Sequence, residues 1–128
     1  MPVKRIMIID PSLYSRMILG DILRRYRYGV CYEASSCKDA LAHYESVKPD
    51  LVLVEANMRD KDGVATIQAL RHEFGQCRAV ICASWGQRSQ INAALSAGAI
   101  DFIAKPYTDR GVLKTLLRIP QPKGENQT

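Results

Sequence analysis

Little in this chain of 128 residues is aromatic: two phenylalanines, one tryptophan and six tyrosines make up 7% of it, so a core must be filled mainly by aliphatic side chains. Long apolar runs are missing as well. The opening stretch MPVKRIMIID carries two basic residues but only four consecutive apolar ones, too few for a secretory leader or a membrane-spanning helix, so a cytoplasmic protein with no membrane contact is expected. Cys31, Cys37, Cys77 and Cys82 show no C-x-x-C spacing and Cys82 falls inside an apolar run, which reads as reduced core thiols and excludes a disulfide framework. His43 and His72 have no Cys or His partner at ligand spacing. Zinc therefore has no support, and both read as surface residues.

What is present fits one soluble domain. Apolar residues make up 47% and charged ones 24% of a 14.3 kDa chain, an ordinary globular composition at a length that can bury one real core but not two. The net charge is +5. Part of that excess is local, in LRRYRY (Arg24, Arg25, Arg27) near the end of a predicted helix, where cations complement the helix dipole. No helix-turn-helix pair, zinc spacing or RNA-binding aromatic motif accompanies it, so it reads as a solvated face and direct nucleic-acid binding is not expected.

Short apolar runs alternate with helix-period stretches. The runs are Ile6 to Ile9, Leu51 to Val54, Ala79 to Cys82 and Phe102 to Ala104, with a weaker one at 30 to 34. Continuous apolarity without period-two alternation means burial on both faces, as in a parallel sheet covered by helices. Between the runs, Tyr14, Ile18, Ile22 and Tyr26 share a helical face with Leu19 and Leu23 beside them. A second helix opens on an S-x-x-D capping pattern from Ser36 to Asp39, with Ala40, Leu41, Tyr44 and Val47 on one stripe. Val64, Ile67 and Leu70 mark a third; Ile91, Ala94 and Leu95 mark a fourth, closed by Gly98 as a left-handed cap; Val112, Leu113, Leu116 and Leu117 mark a fifth. Strand then helix, five times, with right-handed crossovers, is an open doubly wound α/β sheet. The expected domain is 1–118, followed by a mobile tail, 119–128, that lacks apolar periodicity.

In such a sheet the ligand crevice lies beyond the carboxyl ends of the strands. The first strand delivers Asp10 there, the third Glu55 with Asn57 just after, the fourth Ala83 and Ser84, and the fifth Lys105 before Pro106. Two carboxylates, a hydroxyl and an ammonium thus converge on one rim.

At this point the chain resembles the response-regulator receiver family, specifically its stand-alone chemotaxis (CheY-like) type, over roughly residues 4 to 118. The resemblance rests on IMIIDPS, PDLVLVEANMRDKDG, AVICASWGQ and AGAIDFIAKPY in that order. It implies a flavodoxin-like sheet of order 2-1-3-4-5 and a non-enzymatic module of two-component signalling. In such proteins an aspartate accepts phosphate, two adjacent acids at the first strand help hold Mg²⁺, and a Ser or Thr on the fourth strand and the fifth-strand lysine contact the phosphoryl group. Carried over, Asp10 fills one acidic place, Asn57 the place whose carbonyl ligates the metal, and Lys105 with Pro106 the lysine-proline place. Three positions depart: Glu55 stands at the phosphoacceptor, Pro11 at the second acid and Ala83 at the hydroxyl.

These departures act on geometry and charge, which decide phosphoryl transfer. Glutamate overshoots aspartate by roughly 1.5 Å, one carbon-carbon bond, and a misplacement of about 1 Å can already cost on the order of a hundredfold in rate. Mg²⁺ needs octahedral oxygens at about 2.0 to 2.1 Å. Pro11 removes one carboxylate, leaving Asp10, Glu55 and the Asn57 carbonyl as a weak site at most, so no cofactor or only weakly held Mg²⁺ is expected. The longer Glu55 also reaches Lys105, in space meant for the phosphoryl group. Ser84 follows Ala83, but alternation along a regular strand is expected to turn its hydroxyl away from Glu55.

The expectation is thus a pseudo-receiver that acts by protein binding. Its implied partners are a sensor kinase, a flagellar switch component or another signalling protein, met through the fourth helix, fifth strand and fifth helix, with Tyr107, Gln90 and Asn92 as contact candidates. Alternatives are a receiver still phosphorylated on Glu55, a flavodoxin-like cofactor-binding protein, disfavoured by the glycine-free loop DPSLYS, and an inert polar plug of Asp10, Glu55 and Lys105.

Overall fold

The computed structural model describes residues 5–58 and 60–120. Its elements run β1 (Arg5–Ile9), α1 (Leu13–Arg25), β2 (Gly29–Ala34), α2 (Cys37–Val47), β3 (Leu51–Glu55), α3 (Gly63–Phe74), β4 (Ala79–Ser84), a 3-10 turn (Trp85–Gln87), α4 (Arg88–Ser96), β5 (Asp101–Lys105) and α5 (Asp109–Arg118). All strand pairs are parallel and the order is β2-β1-β3-β4-β5. The expected doubly wound sheet is therefore present, in the expected order.

Burial on both faces explains the unbroken apolar strands. Met7, Ile9, Val52, Val54, Ala79, Ile81 and Ala83 pack with Ala40, Ile67, Leu70, Ile91 and Ala94, beneath α2, α3 and α4. Ile6, Ile8, Leu51, Leu53, Val80, Cys82 and Ile103 pack with Leu19, Ile22, Leu23, Val112 and Leu116, beneath α1 and α5. Alternate residues of β1, β3 and β4 thus feed opposite cores, and each fully buried aliphatic side chain contributes roughly 1.5–3 kcal/mol.

Helix starts are fixed by side chains close to the strand exits. Ser12 Oγ accepts from Ser15 N–H, Ser36 Oγ from Asp39 N–H, Asp62 from Ala65 N–H and Thr108 Oγ1 from Gly111 N–H. Each such cap is worth ~1 kcal/mol. The Ser36 cap is the one expected, although the Asp39 carboxylate returns its bond to Ser35 N–H rather than to Ser36. Gly98 closes α4 with φ 117° and donates to Leu95 O, a backbone that an L side chain rarely adopts.

Three helical faces differ from expectation. In α1 the buried residues are Leu19, Gly20, Ile22 and Leu23, while Tyr14 is 72% exposed and Tyr26 also faces solvent. Leu95 on α4 and Leu117 on α5, the latter 77% exposed, lie outside the core as well. Periodicity alone left two overlapping stripes on each helix; the sheet selected one. Of the expected tail, residues 121–128 lie outside the described residues, and Ile119 packs against the α1/α5 core.

Candidate functional site

Strand parity assembles the site. Asp10 continues Ile6 and Ile8, Glu55 continues Leu51 and Leu53, and Lys105 continues Ile103, so all three belong to the side of the sheet covered by α1 and α5. They meet just past the strand ends. The Lys105 ammonium donates to Glu55 Oε1 and lies 3.8 Å from Asp10 Oδ2. Glu55 Oε2 accepts from Asn57 N–H at 2.9 Å, and Asp10 Oδ1 accepts from Ser12 N–H at 2.8 Å. Three of the four carboxylate oxygens therefore have a donor, and the fourth faces the ammonium.

Burial is nearly complete for the acids, Asp10 at 3% and Glu55 at 7% exposure. Burial pushes the Asp10 carboxyl above its usual range, against the lowering effect of Ser12 N–H and Lys105. The Lys105 ammonium is pulled down by burial but held above its usual value by the Glu55 hydrogen bond and the charges of Glu55 and Asp10. The ammonium thus favours the ionised form of Asp10, while the nearby Glu55 charge opposes it. Lys105 Nζ also sits 5.5 Å from the centre of the Tyr107 ring.

The remaining expected residues are distributed around this trio. The Lys105–Pro106 peptide is cis. Pro11, where a second acid would stand, is exposed on the wall of a cavity of about 470 Å³ lined also by Ser12, Ser35, Ser36 and Asp60. Ala83 is fully buried on the α3/α4 side. Ser84 pairs with Lys105 in register, so alternation puts it on the Glu55 side of the sheet and not, as expected, on the opposite one. Its hydroxyl is nonetheless engaged elsewhere, donating to Gln87 Oε1 at 3.3 Å, an oxygen that also accepts from Ser84 N–H at 2.9 Å.

Tyr107 differs from expectation too, because it packs inward against the α1/α5 core and its hydroxyl meets the Cys82 thiol. Burial pushes that thiol up to about 12, leaving it protonated and unreactive. Gln90 does not simply face solvent: its Nε2 donates to Asn57 Oδ1 at 3.0 Å. Asn92 is exposed as expected. Trp85, 63% exposed, packs edge-on against Phe102 with ring centres 5.3 Å apart. His43 is not isolated either; it stacks on Tyr32 at 4.5 Å and its Nδ1 lies 3.0 Å from an Asp39 carboxylate oxygen. The basic run is partly neutralised, with Arg25 on Asp109 and Arg24 near Glu33.

Sequence reasoning missed several supporting residues. Arg16 donates to the Asp10 carbonyl, and Asp60 accepts from Cys37 and Lys38 N–H at the start of α2. These contacts span chain separations that no local pattern encodes. Gln87 was within reach, since Ser84 to Gln87 reads S-x-x-Q, a helix-start signature.

A parallel five-stranded sheet with acids at the β1 and β3 exits and a lysine before a cis proline at the β5 exit defines a two-component signalling receiver. The chain belongs to the response regulator receiver domain family, whose model matches residues 6–118, and it is of the CheY type. It is 31% identical to the chemotaxis protein CheY of Thermotoga maritima over 116 residues, covering 91% of this chain and 97% of that one. To CheY of Bacillus subtilis it is 34% identical over 112 residues, 88% and 93% of the two chains. The fold is shared, at 21% identity, with CheY in the complex of CheX, CheY, BeF3 and Mg²⁺ from Borrelia burgdorferi, with a TM-score of 0.82 over 89% of this chain and 87% of that one. Among the described residues no helix is long and apolar enough to cross a membrane.

Proposed function

We propose that this receiver signals through protein binding with its phosphorylation chemistry impaired, and that it holds Mg²⁺ weakly or not at all. One observation carries the reading: the Lys105 ammonium sits against Glu55 Oε1 and within 3.8 Å of Asp10 Oδ2, while backbone N–H groups hold the two other carboxylate oxygens. A hard divalent ion needs several free oxygens converging on one point. The donor set as arranged does not fit it, because a cation already occupies that position and Pro11 contributes no ligand. The Glu55 oxygen that would attack a phosphodonor is likewise engaged.

The docking partner is another protein of the signalling system, a sensor kinase or a motor or adaptor component. In the Borrelia burgdorferi structure a CheY chain is bound to CheX, which supports protein docking as the mode of action. Glu55 remains a carboxylate beside a lysine and a cis Lys105–Pro106 bond, and this favours the second reading, slow phosphorylation on Glu55. Incubation with acetyl phosphate and Mg²⁺ followed by intact mass measurement separates the two. Unchanged mass is expected; a hydroxylamine-labile gain of one phosphoryl group on Glu55 would establish the second reading.

A further inference from the structure

The α4–β5–α5 face on which the sequence places partner contacts is physically tied to the acid site by a route that does not use position 83. Asn57 bonds in two directions. Its backbone N–H holds Glu55 Oε2 at 2.9 Å, and its side-chain Oδ1 accepts from Gln90 Nε2 on α4 at 3.0 Å. Lys105 closes the other end on Glu55 Oε1. The result is a continuous chain of bonds from β5 through Glu55 and the β3–α3 loop to α4.

We propose that Gln90 is a positioning residue for Glu55, acting through Asn57, and that this bridge couples the α4 face to the Glu55–Lys105 pair. A hydroxyl at the fourth-strand exit is the other candidate link, and it is disengaged here: Ala83 has none, and Ser84 turns its own to Gln87. The opposite flank of the same loop is held at the start of α2 by Asp60, which accepts from Cys37 and Lys38 N–H. With that flank anchored, rotation of Gln90 off the bridge moves the Asn57 end of the loop, the end that contacts Glu55. A partner that captures the Gln90 amide on α4 therefore loosens the hold on Glu55 Oε2, and disruption of the Glu55–Lys105 pair loosens Gln90 in return, since coupling between two sites is reciprocal.

The inference rests on the docking reading for its purpose but not for its test, which needs neither phosphate nor partner. The measurement is NMR of the full chain, following the Glu55 side-chain carboxyl carbon, the Asn57 amide exchange rate and the Gln90 side-chain amide. Gln90→Ala is expected to shift the Glu55 carboxyl resonance and to speed Asn57 amide exchange by about threefold to tenfold, the range set by loss of one hydrogen bond. Asn92→Ala, exposed on the same helix, is expected to leave both unchanged. In the reverse direction Lys105→Met is expected to shift the Gln90 amide. A silent Glu55 carboxyl in Gln90→Ala, or equal shifts in Asn92→Ala, would overturn the coupling, whatever the phosphorylation assay shows.

Discussion

Replacement of Lys105 by methionine removes the ammonium that faces two buried carboxylates while keeping an unbranched apolar stem of similar length. At the 3.8 Å separating Lys105 Nζ from Asp10 Oδ2, the lost attraction is about 4 kcal/mol at an effective dielectric near 20. Glu55 is closer still. Against this stands the desolvation that the ammonium no longer suffers, and its side chain is 25% exposed, so water partly replaces it. Breaking a fully buried pair costs roughly 3–5 kcal/mol; with this exposure we expect about 2–3 kcal/mol at neutral pH, a fall in Tm of roughly 6–15 °C for a domain of this size.

The pH dependence is the sharper test. Asp10, already raised above 3.8 by burial, loses one of its lowering influences with Lys105 and rises further. A carboxyl raised on folding is stabilised by protonation, so the deficit of Lys105→Met shrinks as pH falls and Asp10 takes up its proton. At the other extreme, Lys105 is held above 10.5 in the folded wild type. Its contribution is full below 10.5 and is lost as pH rises through the folded value, so the two proteins converge again there. Urea unfolding across this range should show a difference that peaks at intermediate pH. A difference flat with pH, or below about 0.5 kcal/mol throughout, the level of an ordinary surface change, would refute the reasoning.

Glu55→Asp alone should not gain rapid Mg²⁺-dependent phosphorylation, because Pro11 and Ala83 remain; intact mass after acetyl phosphate checks this. The triple variant Glu55→Asp, Pro11→Asp, Ala83→Thr should gain it while losing about 1–3 kcal/mol, since Ala83 is fully buried and the added atoms overpack its site. On α1, Leu19→Ala should cost about 2–5 kcal/mol in urea unfolding, whereas Tyr14→Ala should stay within about 0.5 kcal/mol because that ring stands in solvent. Gly63→Ala should destabilise and perturb the Glu55 resonances, since its Cβ would fall 2.6 Å from both the Glu55 carbonyl and Ile81 Cδ1; an unperturbed NMR spectrum would contradict that packing.

The central strands were legible because β1, β3 and β4 are buried on both faces, and a run such as LVLV can satisfy that only as continuous apolar residues. One helix start was legible, at Ser36, whose side chain caps α2 three residues on; Ser12, Asp62 and Thr108 cap their helices in the same way but were not read. Which helical stripe faces inward was less legible. Tyr14, Ile18 and Ile22 form as regular a stripe in sequence as Leu19, Ile22 and Leu23, and only the distance to the sheet distinguishes them. At the rim, Asp10, Glu55, Asn57 and Lys105 could be read, whereas Arg16 and Asp60 were missed and the direction of Ser84 could not be read, because its side depends on register with Lys105 and its hydroxyl on the turn that follows.

By itself, then, the chain's sequence determined the alternation of strand and helix, the doubly wound sheet and the chemical inventory at its carboxyl edge, since these follow from periodicity and local capping. The Glu55–Lys105 pair was expected from the resemblance and is present, but only the tertiary structure decided the other meetings: Gln90 on Asn57 across 33 residues and Tyr107 turned in to Cys82. Those pairings depend on strand parity, register and the packing of helices onto the sheet, which arise between segments rather than within them.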